Sequence, residues 1–334
     1  MFRSHRLRSV APLALGLAQI AASPPAAAQS MAPDGSTPEQ QAIVAKDKPF
    51  QAQPLTLVSI PKPAGRRIAL FNGRNLDGWD SWLGLPQPMM TYAFTKDRPI
   101  GLNRDATGVF SVVQEDGRPA LRVSGKIFGA LITKGDYHAY HLHAEFKWGT
   151  WQLGTIPRNN GILYHAHGQQ GSFLKTWSPS IEFELVPQHF GMLLTPGDSS
   201  KATSFNDIFW NVSARSTVGS DRTIPYPWRR FMPDGTPAEV GNVAFDVDAA
   251  SDAERPLGQW NTIDLYVVGN AAVHVVNGVP VLAATGMRTR ATPSSPAQPL
   301  THGRIQLQSE GAEAFFRNVT IEPIRHLPRV IAKR

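Results

Sequence analysis

The sequence predicts an all-β fold, a sandwich or jelly roll with long loops, from two observations. Glycine and proline each occur 28 times among the 334 residues, so apolar runs are interrupted too often for bundled helices. Several short runs alternate polar and apolar residues with a period of two, which is typical of strands with one buried face. Strands do not alternate with helices and no glycine-rich phosphate loop is found, which disfavours a dinucleotide-binding fold.

Nine segments carry the strand pattern. They are Phe110–Gln114, Ala120–Val123, His141–Trp148, Gly161–His165, Ile181–Val186, Thr262–Val268, Ala272–Val276, Ile305–Gln308 and Ala314–Glu322. Between Thr262 and Leu282, the pairs Gly269-Asn270 and Asn277-Gly278 tolerate positive φ and divide the chain into a three-stranded meander.

The amino terminus has the composition of an export signal. Arg3, Arg6 and Arg8 precede an apolar stretch at 10–22, and Ala26-Ala27-Ala28 supplies a cleavage site of small residues. We expect cleavage after Ala28 and a periplasmic or secreted protein without a transmembrane segment, because spanning a bilayer takes ~20 apolar residues. The sequence has no cysteine, which excludes a lipid anchor on cysteine and any disulfide.

The formal net charge of +7 lies at the ends of the chain. Besides the arginines of the signal, Arg325, Arg329, Lys333 and Arg334 lie in a terminal segment without acids. Without these residues, the 33 basic residues fall to the number of acidic ones, 26, so the body of the protein is neutral. Because nucleic-acid binding needs a clustered basic surface, we expect no nucleic-acid partner.

Composition divides the chain into four parts. Residues 1–28 are the signal, and residues 29–65 form a linker rich in proline and alanine with at most one short ordered piece. Residues 66–324 hold the strands and are predicted to form one β-sandwich domain. Residues 325–334 form a basic tail, which we expect to be solvated and frayed.

The stretch between Pro187 and Arg255 is the least regular part of this domain. It is too aromatic for a disordered linker, with Phe190, Phe205, Phe209, Trp210, Tyr226, Trp228 and Phe231 among glycine, proline and serine. Two interpretations are equally open: the rings form a wall or lid on which sugar rings stack, or they cover one end of the core.

Two acids share one face of the strand predicted at Ile181–Val186. Alternation directs its apolar residues to the core and places Glu182 and Glu184 together on the opposite face. Two carboxylates ~7 Å apart repel each other, which raises the pKa of one of them unless a cation lies between them. The pair is therefore a candidate for acid–base chemistry.

Two further groups are candidates. Glu145 and Lys147 lie on one face of a strand, for which an ordinary solvated face is the alternative. His165 lies close in sequence to His167 and to the Glu182 strand, and a histidine in such a place is a candidate base or metal ligand.

Five stretches in order resemble one known family. They are LFNGRNLDGW from Leu70, NNGILYHAHG from Asn159, WSPSIEFELV from Trp177, ERPLGQWNTIDLYVVGNAAVHVVNG from Glu254 and GRIQLQSEGAEAFFRNVTI from Gly303. They are similar to the 3-keto-disaccharide hydrolase domain family, and this resemblance implies a concanavalin A-like β-sandwich.

The resemblance also implies a ligand-bearing face. Asn159-Asn160-Gly161-Ile162 resembles the family's Asn-Ser-Gly-Ile segment, Glu182-Phe183-Glu184 its Glu-x-Gln pair, and 307–311 its Leu-Gln-x-x-Gly turn. Asn160, Glu184 and Glu310 depart from the common Ser, Gln and His. The residues expected to bind substrate are Glu145, Lys147, Asn159, Tyr164, Trp177, Glu184, Gln308 and Glu310.

Family members act on glycosides oxidised at C3, whose ketone acidifies the proton at C2. The resemblance implies that a base removes this proton, the C1 substituent leaves by β-elimination and water adds back, for net hydrolysis. We expect His165 and Glu182 to be catalytic. The same two residues would suit a divalent cation that polarises the ketone, whereas no nucleotide cofactor is expected.

Two other classes of function remain open. A conventional retaining glycosidase needs two acids about 5.5 Å apart across the bond, which Glu182 and Glu184 match poorly. A carbohydrate-binding module without catalysis is the stronger rival, because a sandwich hosts lectins as readily as enzymes. Such a module gains little from neighbouring acids, so the acidic strand favours an enzyme.

Overall fold

Strands are the main element of the structure, because apolar residues alternate with polar ones along much of the chain. The structure is a computed structural model that describes residues 38–222, 228–241 and 246–333. Over these ranges the helices are short: α1 is Pro38–Val44, and the 3-10 helices are η1 (Pro88–Ala93) and η2 (Phe205–Asp207).

Twenty-three strands are found in the described ranges. The first twelve are β1 (Lys48–Pro49), β2 (Leu55–Val58), β3 (Ile68–Ala69), β4 (Trp79–Leu83), β5 (Gly101–Leu102), β6 (Phe110–Glu115), β7 (Arg118–Val123), β8 (Gly129–Thr133), β9 (Ala139–Gln152), β10 (Gly161–Ala166), β11 (Ile181–Glu184) and β12 (Leu193–Leu194). The others are β13 (Val212–Ser220), β14 (Arg229–Phe231), β15 (Thr236–Val240), β16 (Asp246–Val247), β17 (Asn261–Val268), β18 (Ala271–Val276), β19 (Val279–Thr289), β20 (Gln298–Pro299), β21 (Arg304–Ser309), β22 (Ala312–Pro323) and β23 (Arg329–Ala332).

The strands form two large sheets and one small one. The larger sheet has thirteen strands, with the path β1-β13-β19-β18-β17-β9-β22-β7-β6 and four short strands at its sides. The smaller sheet has eight strands in the order β16-β12-β11-β10-β21-β8-β4-β5. A separate pair joins β2 and β23.

One hydrophobic core lies between the two large sheets. On β9, Leu142, Ala144 and Phe146 point into this core, while the residues between them are partly exposed, as period-two alternation requires. Ile162 on β10 and Phe183 on β11 contribute from the smaller sheet. The all-β sandwich predicted from the sequence is therefore confirmed. We call the core-facing side of each sheet its inner face and the opposite side its outer face.

All nine predicted strands are present, with ends that differ by up to four residues. In the meander of β17, β18 and β19, Gly269 has φ 55°, and Asn277 and Gly278 have φ 50° and 78°. Positive φ at both central residues is the requirement of a type I′ hairpin, which the Asn-Gly pair meets.

The linker and the tail contain more regular structure than expected. Within 38–65 the chain forms α1, β1 and β2, and α1 is anchored by the buried Val44 and by the hydrogen bond from Ser220 Oγ to the Val44 carbonyl, 2.6 Å long. The tail does not fray: β23 pairs antiparallel with β2, and Val330 packs against a buried cluster that includes Tyr266. Both strands are too short for alternation to reveal them in the sequence.

In the described ranges, no helix is long and apolar enough to cross a membrane. The export signal predicted at 1–28 lies outside the described residues, as does Tyr226 of the aromatic stretch.

Candidate functional site

Three acidic side chains gather on the outer face of the smaller sheet. On β11, Ile181 and Phe183 enter the core, so Glu182 and Glu184 point to the outer face. Glu310 directly follows β21 and forms an isolated bridge with Asn159. Glu182, Glu184 and Glu310 are only 3%, 1% and 2% exposed, and we call them the acid cluster.

Burial dominates the electrostatics of the acid cluster. Burial, together with the neighbouring charges in the cluster, raises the pKa of Glu182 and of Glu184 well above the usual value for a carboxyl group. Burial likewise raises the pKa of Glu310 to about 8, although a hydrogen bond from Tyr92 acts in the opposite direction. The cluster therefore retains protons at neutral pH and can both donate and accept them.

Several buried oxygens of this region have no hydrogen-bond partner in the described structure. With the acids ionised, they are Glu182 Oε1, both carboxyl oxygens of Glu184, Glu310 Oε2, Gln308 Oε1 and Asn159 Oδ1. With one acid of the pair protonated, Glu182 and Glu184 hydrogen-bond to each other. No basic side chain of the described residues forms an ion pair with any member of the acid cluster. Buried acceptors without donors cost free energy, and a ligand rich in hydroxyl groups would supply the missing donors.

Gly161 and Asn160 fix the position of β10 beside β21, next to the acid cluster. A Cβ atom at Gly161 would lie 2.2 Å from Glu182 Oε1 and 3.2 Å from Gln308 Oε1, so a glycine is needed for the carboxyl group to lie there. The Asn160 amide donates to the Gln308 carbonyl at 2.8 Å and its oxygen accepts from the Gly161 N–H at 2.9 Å. These contacts hold β10 against β21 beneath the acids.

A segment that the sequence analysis missed covers the acid cluster. Residues 88–97, which we call the cover, include η1 and place the Tyr92 hydroxyl against Glu310 Oε1, to which it donates a hydrogen bond. Burial of this hydroxyl, and then the charge of Glu310, raises the pKa of Tyr92 well above its usual value, so the phenol stays neutral. Phe94 packs edge-on against Phe205 with ring centroids 4.7 Å apart.

Lys175 fastens the far end of the cover. Its ammonium group donates to the Thr95 carbonyl and, at 2.7 Å, to the Asp97 carbonyl. Lys175 and the preceding Leu174 both have positive φ, 60° and 52°, which is rare for residues with side chains. No motif marks Tyr92 or Lys175 in the sequence, because their roles follow from loops that meet only in the folded chain.

His165 lies on the other side of the smaller sheet from the acid cluster. The register between β10 and β21 shifts between Leu163 and Ala166, and His165 occupies this bulge with φ 53°. Its Nε2 lies 2.8 Å from the carbonyl oxygen of Gly269, in the turn between β17 and β18 of the larger sheet. Burial lowers the pKa of His165 to about 4, so the ring is neutral. The predicted pair of His165 with Glu182 is therefore not brought together.

Glu145 and Lys147 also lie away from the acid cluster, on β9 of the larger sheet. Arg317 Nε donates to Glu145 at 2.5 Å, and Lys147 forms ion pairs with Glu115 and, at 2.8 Å, with Asp116. They belong to a different sheet and have partners of their own, so the structure does not bring the predicted substrate-binding residues Glu145 and Lys147 to Glu182. The alternative of an ordinary polar strand face describes them better.

Among the other predicted residues, Tyr164 faces the core and Trp177 the outer face. The Tyr164 hydroxyl lies 3.0 Å from His274 Nε2, whose ring stacks on Phe183 between the sheets. Trp177 donates to the Gly129 carbonyl at 3.0 Å and stacks on Phe128 on the side of the acid cluster. Asn159, Glu184, Gln308 and Glu310 lie at the acid cluster, and their binding of substrate stays a prediction.

Some aromatic residues of 187–255 cover the core and others form a wall on the outer face of the smaller sheet, so both interpretations apply in part. Phe190 and Phe231 are buried in the core, whereas Phe205 and Trp210 pack on the outer face of the smaller sheet beside Ile208. The stretch therefore both closes the core and walls the candidate site.

The side chains of His165 and Glu182 are not placed to hold a metal ion together. In the described part of the chain, no three His, Asp or Glu side chains are placed to hold a metal ion together. Carboxylate oxygens suit a hard divalent cation chemically, but His165 contacts Gly269 rather than Glu182. The residues present do not fit the predicted His165–Glu182 metal centre.

Solved structures of similar fold are distant from this chain. A Parabacteroides distasonis protein provisionally called a glycosyl hydrolase is 16% identical, with a TM-score of 0.39 over 78% of this chain and 94% of that one. A Bacillus subtilis protein of unknown function with a galectin-like fold is 10% identical, with a TM-score of 0.41 over 80% of this chain and 100% of that one. The carbohydrate-binding module CBM66 of Bacillus subtilis is 9% identical, with a TM-score of 0.36 over 64% and 91% of the two chains. Likenesses this weak bear on neither activity nor ligand.

A search of curated proteins finds none that matches the sequence. A family model does match, and it covers residues 66–322, which include the whole acid cluster, Gly161 and the cover. The match extends over most of the chain and agrees with the resemblance found in the sequence motifs. This chain is a member of the 3-keto-alpha-glucoside-1,2-lyase-like domain family.

Proposed function

We propose that this protein is an enzyme that cleaves 3-keto-glycosides at the acid cluster, by deprotonation at C2 and β-elimination. The observation that carries the proposal is the burial of Glu182, Glu184 and Glu310 together without a basic partner among the described residues. Burying such acids costs stability, and a module that only binds sugars gains nothing from their raised pKa values. An enzyme that moves protons does gain from them.

Glu182 is the proposed base. When a substrate enters, its hydroxyl groups donate to the unpaired oxygens and favour the ionised form of one carboxyl group. The Glu182 carboxylate then takes the proton from C2, and the electron pair of the C–H bond moves into the enolate of the C3 ketone. Burial, and then the charge of Glu310, raises the pKa of Glu182 and so makes its carboxylate a stronger base, while a hydrogen bond with Glu184 acts in the opposite direction.

Glu310 and Tyr92 are the proposed acid and hydrogen-bond donor. As the enolate collapses, the bond from C1 to the leaving oxygen breaks, and the proton held by Glu310 neutralises that oxygen. The neutral Tyr92 hydroxyl is available to donate to the developing enolate oxygen once it leaves Glu310. Addition of water at C1 and return of a proton to C2 complete a net hydrolysis. No step is derived through a cation.

The experiment compares a 3-keto-α-glucoside with the same glycoside before oxidation, in deuterated water. We expect cleavage of the oxidised substrate alone, with deuterium at C2 of the recovered sugar. Cleavage of the unoxidised glycoside without exchange at C2 would assign the protein to conventional glycosidases. Binding of the sugar without cleavage of either compound would assign it to carbohydrate-binding modules.

We also propose that the protein acts outside the cytoplasm, on the basis of the basic, apolar and small-residue order of 1–28. Mass spectrometry of the native protein should find an amino terminus at Gln29. A full-length chain beginning at Met1 in the cytoplasmic fraction would contradict this.

A further inference from the structure

A groove of about 510 Å³ opens on the outer face of the larger sheet. It is lined by strands β13, β18 and β19, by residues 231–237, and by residues 327–330 at the start of β23. We propose that this groove binds a small amphiphilic anion, a carboxylate with an apolar chain. The proposal goes beyond the chemistry of the acid cluster, since the described lining comes from the larger sheet and the tail.

The floor of the groove is apolar. On β18, His274 stacks on Phe183 between the sheets, so the preceding Val273 points to the outer face. Val273 pairs with Ala283 of β19, which extends the same apolar surface. Leu327 of the tail packs against the cluster that contains Val273. An apolar chain laid along these residues removes their surface and its own from water, which is the main favourable contribution to binding of this kind.

A bulge in the larger sheet places Arg215 at the groove. The register between β13 and β19 shifts here, so that residues 286–287 of β19 lie opposite a single residue of β13. Gly286 accommodates the bulge with φ 62°, and a Cβ atom on it would lie 3.7 Å from Arg215 Cδ. The Arg215 side chain therefore extends past Gly286 and lines the groove while remaining exposed to solvent.

Arg329, the first residue of β23, supplies a second positive charge to the groove. Neither Arg215 nor Arg329 has an ion-pair or hydrogen-bond partner among the described residues, and the described lining contains no acid. Glu239 pairs with Arg288 on β19 instead. Burial, and then the charges of Arg290 and Arg215, lower the pKa of Arg288, as expected where cations outnumber acids. The groove therefore carries uncompensated positive charge, which attracts an anion.

The combination of charge and apolar surface selects the chemical class of the ligand. A carboxylate accepts two parallel hydrogen bonds from a guanidinium group, so Arg215 or Arg329 can hold one. An inorganic anion would leave the apolar floor in contact with water, and an uncharged lipid would leave both guanidinium groups unpaired. The volume of the groove falls within the range of about 300–1,000 Å³ that is usual for small-molecule sites lined mainly by apolar groups. A carboxylate on a chain of moderate length meets all three requirements.

A ligand in this groove would also fasten the tail. Strand β23 is joined to the described structure through its pairing with β2 and through Val330, which packs on the cluster that contains Val273. A carboxylate shared by Arg329 and Arg215 would add a link from β23 to β13. Because the complete groove exists only when the tail is in place, the ligand should lower the frequency with which β23 detaches.

The test measures binding of octanoate by isothermal titration calorimetry to the wild type, Arg215→Ala and Arg329→Ala. Removing either arginine should weaken octanoate binding about tenfold or more, since a hydrogen bond to a charged group contributes that much. Arg74→Ala is the matched control, because Arg74 is also exposed but lies outside the groove lining, and it should keep the wild-type affinity. Octanol, which lacks the charge, and acetate, which lacks the chain, should each bind at least about tenfold more weakly than octanoate.

Octanoate binding that is absent from the wild type, unchanged in both groove variants or equally weakened in Arg74→Ala would overturn the proposal. Acetate or octanol that binds as tightly as octanoate would overturn it as well, because one half of the ligand would then be irrelevant. A second arm uses vesicles of phosphatidylglycerol. Binding to these vesicles that depends on the two arginines, without binding of octanoate, would make the groove a membrane contact and refute a small ligand.

Hydrogen exchange locates the bound ligand. With octanoate at about ten times its dissociation constant, exchange at residues 329–332 should slow about tenfold in the wild type, because only the closed form binds. Exchange there should not respond to the same concentration of octanoate in Arg329→Ala. Unchanged exchange at residues 329–332 in the wild type would place the bound octanoate outside the groove and so contradict the proposal.

Discussion

The acids on the outer face of the larger sheet have basic or amide partners, whereas those on the outer face of the smaller sheet are buried without basic partners among the described residues. On the larger sheet, Glu145 accepts hydrogen bonds from Arg317 and Asn318, and Asp264 Oδ1 lies within 2.8 Å of a nitrogen of both His141 and His143. On the smaller sheet, the acid cluster is more deeply buried and has no basic partner among the described residues. Two faces with the same alternating pattern in the sequence therefore differ in what stabilises them.

The pKa values follow the same division. Burial alone would raise the pKa of Glu145, but its hydrogen bonds and the charge of Arg317 together lower it. Burial would also raise the pKa of Asp264, but the hydrogen bonds from His141 and His143 lower it to about 2. In the acid cluster, no basic side chain of the described residues opposes burial, and Glu310 reaches a pKa of about 8. Paired acids contribute to the stability of the larger sheet, whereas the protonated acids of the smaller sheet are the groups on which the proposed chemistry depends.

The largest effect expected from this difference is on turnover. Glu182→Gln removes the proposed base without changing the shape of the side chain, so kcat on a 3-keto-glucoside should fall by about 10²- to 10⁴-fold. Glu145→Gln changes an acid of the larger sheet in the same way and should alter kcat less than about twofold. Circular dichroism should show both variants folded.

A comparable loss of turnover in both variants would remove the distinction between the faces. An unchanged rate in Glu182→Gln, with the fold intact, would exclude Glu182 as the base.

The sequence predicted the strands and one half of the site. Alternation placed Glu182 and Glu184 on the same face, since it depends only on the local period of the backbone. Alternation also placed Glu145 and Lys147 correctly on one face of their strand. However, no local pattern predicts which sheet a strand joins, or whether an arginine such as Arg317 lies opposite.

Two other features depended on contacts that the sequence does not display. His165 was assigned to the acids from its distance along the chain, and a bulge with positive φ turns it toward Gly269 instead. Tyr92 lies 218 residues from Glu310 in a segment without a motif, so only the folded chain reveals the contact.

The second expected effect is on stability as a function of pH. The folded pKa of Glu310, about 8, lies above its ordinary value of 4.5, so its contribution is fully present below pH 4.5 and is lost as pH rises through 8. Glu310→Gln removes this titration and should gain free energy of unfolding relative to the wild type between pH 5 and 8. Because one pKa unit corresponds to about 1.4 kcal/mol, the gain should exceed about 2 kcal/mol.

Glu145→Gln is again the control. The pKa of Glu145 is lowered, so its contribution is present above pH 4.5 and is lost only as pH falls further. Urea unfolding should therefore give a constant difference from the wild type between pH 5 and 8 for Glu145→Gln and a rising one for Glu310→Gln. Parallel curves for the two variants would mean that Glu310 is ionised in the folded protein.

A smaller effect is expected from Gly161→Ala, which disturbs the acid cluster without removing an acid. The added methyl group would lie 2.2 Å from Glu182 Oε1, and the end of a flexible side chain can shift to avoid it. Misplacing a reacting group by about 1 Å can cost up to 10²-fold, so we expect kcat to fall about 10- to 100-fold. Gly65→Ala, whose methyl group meets only the Pro323 side chain at 3.2 Å, should keep its activity. Full activity in Gly161→Ala would mean that the position of Glu182 does not matter.

The smallest expected effect concerns the cover and its fastening by Lys175. Lys175→Met keeps the apolar stem but removes the hydrogen bonds to the Thr95 and Asp97 carbonyls, so the cover should open more often and Tyr92 should leave Glu310 for more of the time. We expect hydrogen exchange of residues 88–97 to rise about tenfold, since lost hydrogen bonds from a charged donor are worth about 1.5 kcal/mol or more, while kcat falls only about threefold.

Lys48→Met makes the matching change on the larger sheet, because the Lys48 ammonium group donates to the Asp234 carbonyl at 2.5 Å. Its effect on exchange should stay near β1 and leave kcat unaltered. If opening the cover instead raises kcat, product release through the cover limits turnover, and the closed contact of Tyr92 with Glu310 is a resting state rather than part of the reaction. If exchange at 88–97 does not change in Lys175→Met, the aromatic contact of Phe94 with Phe205 holds the cover by itself.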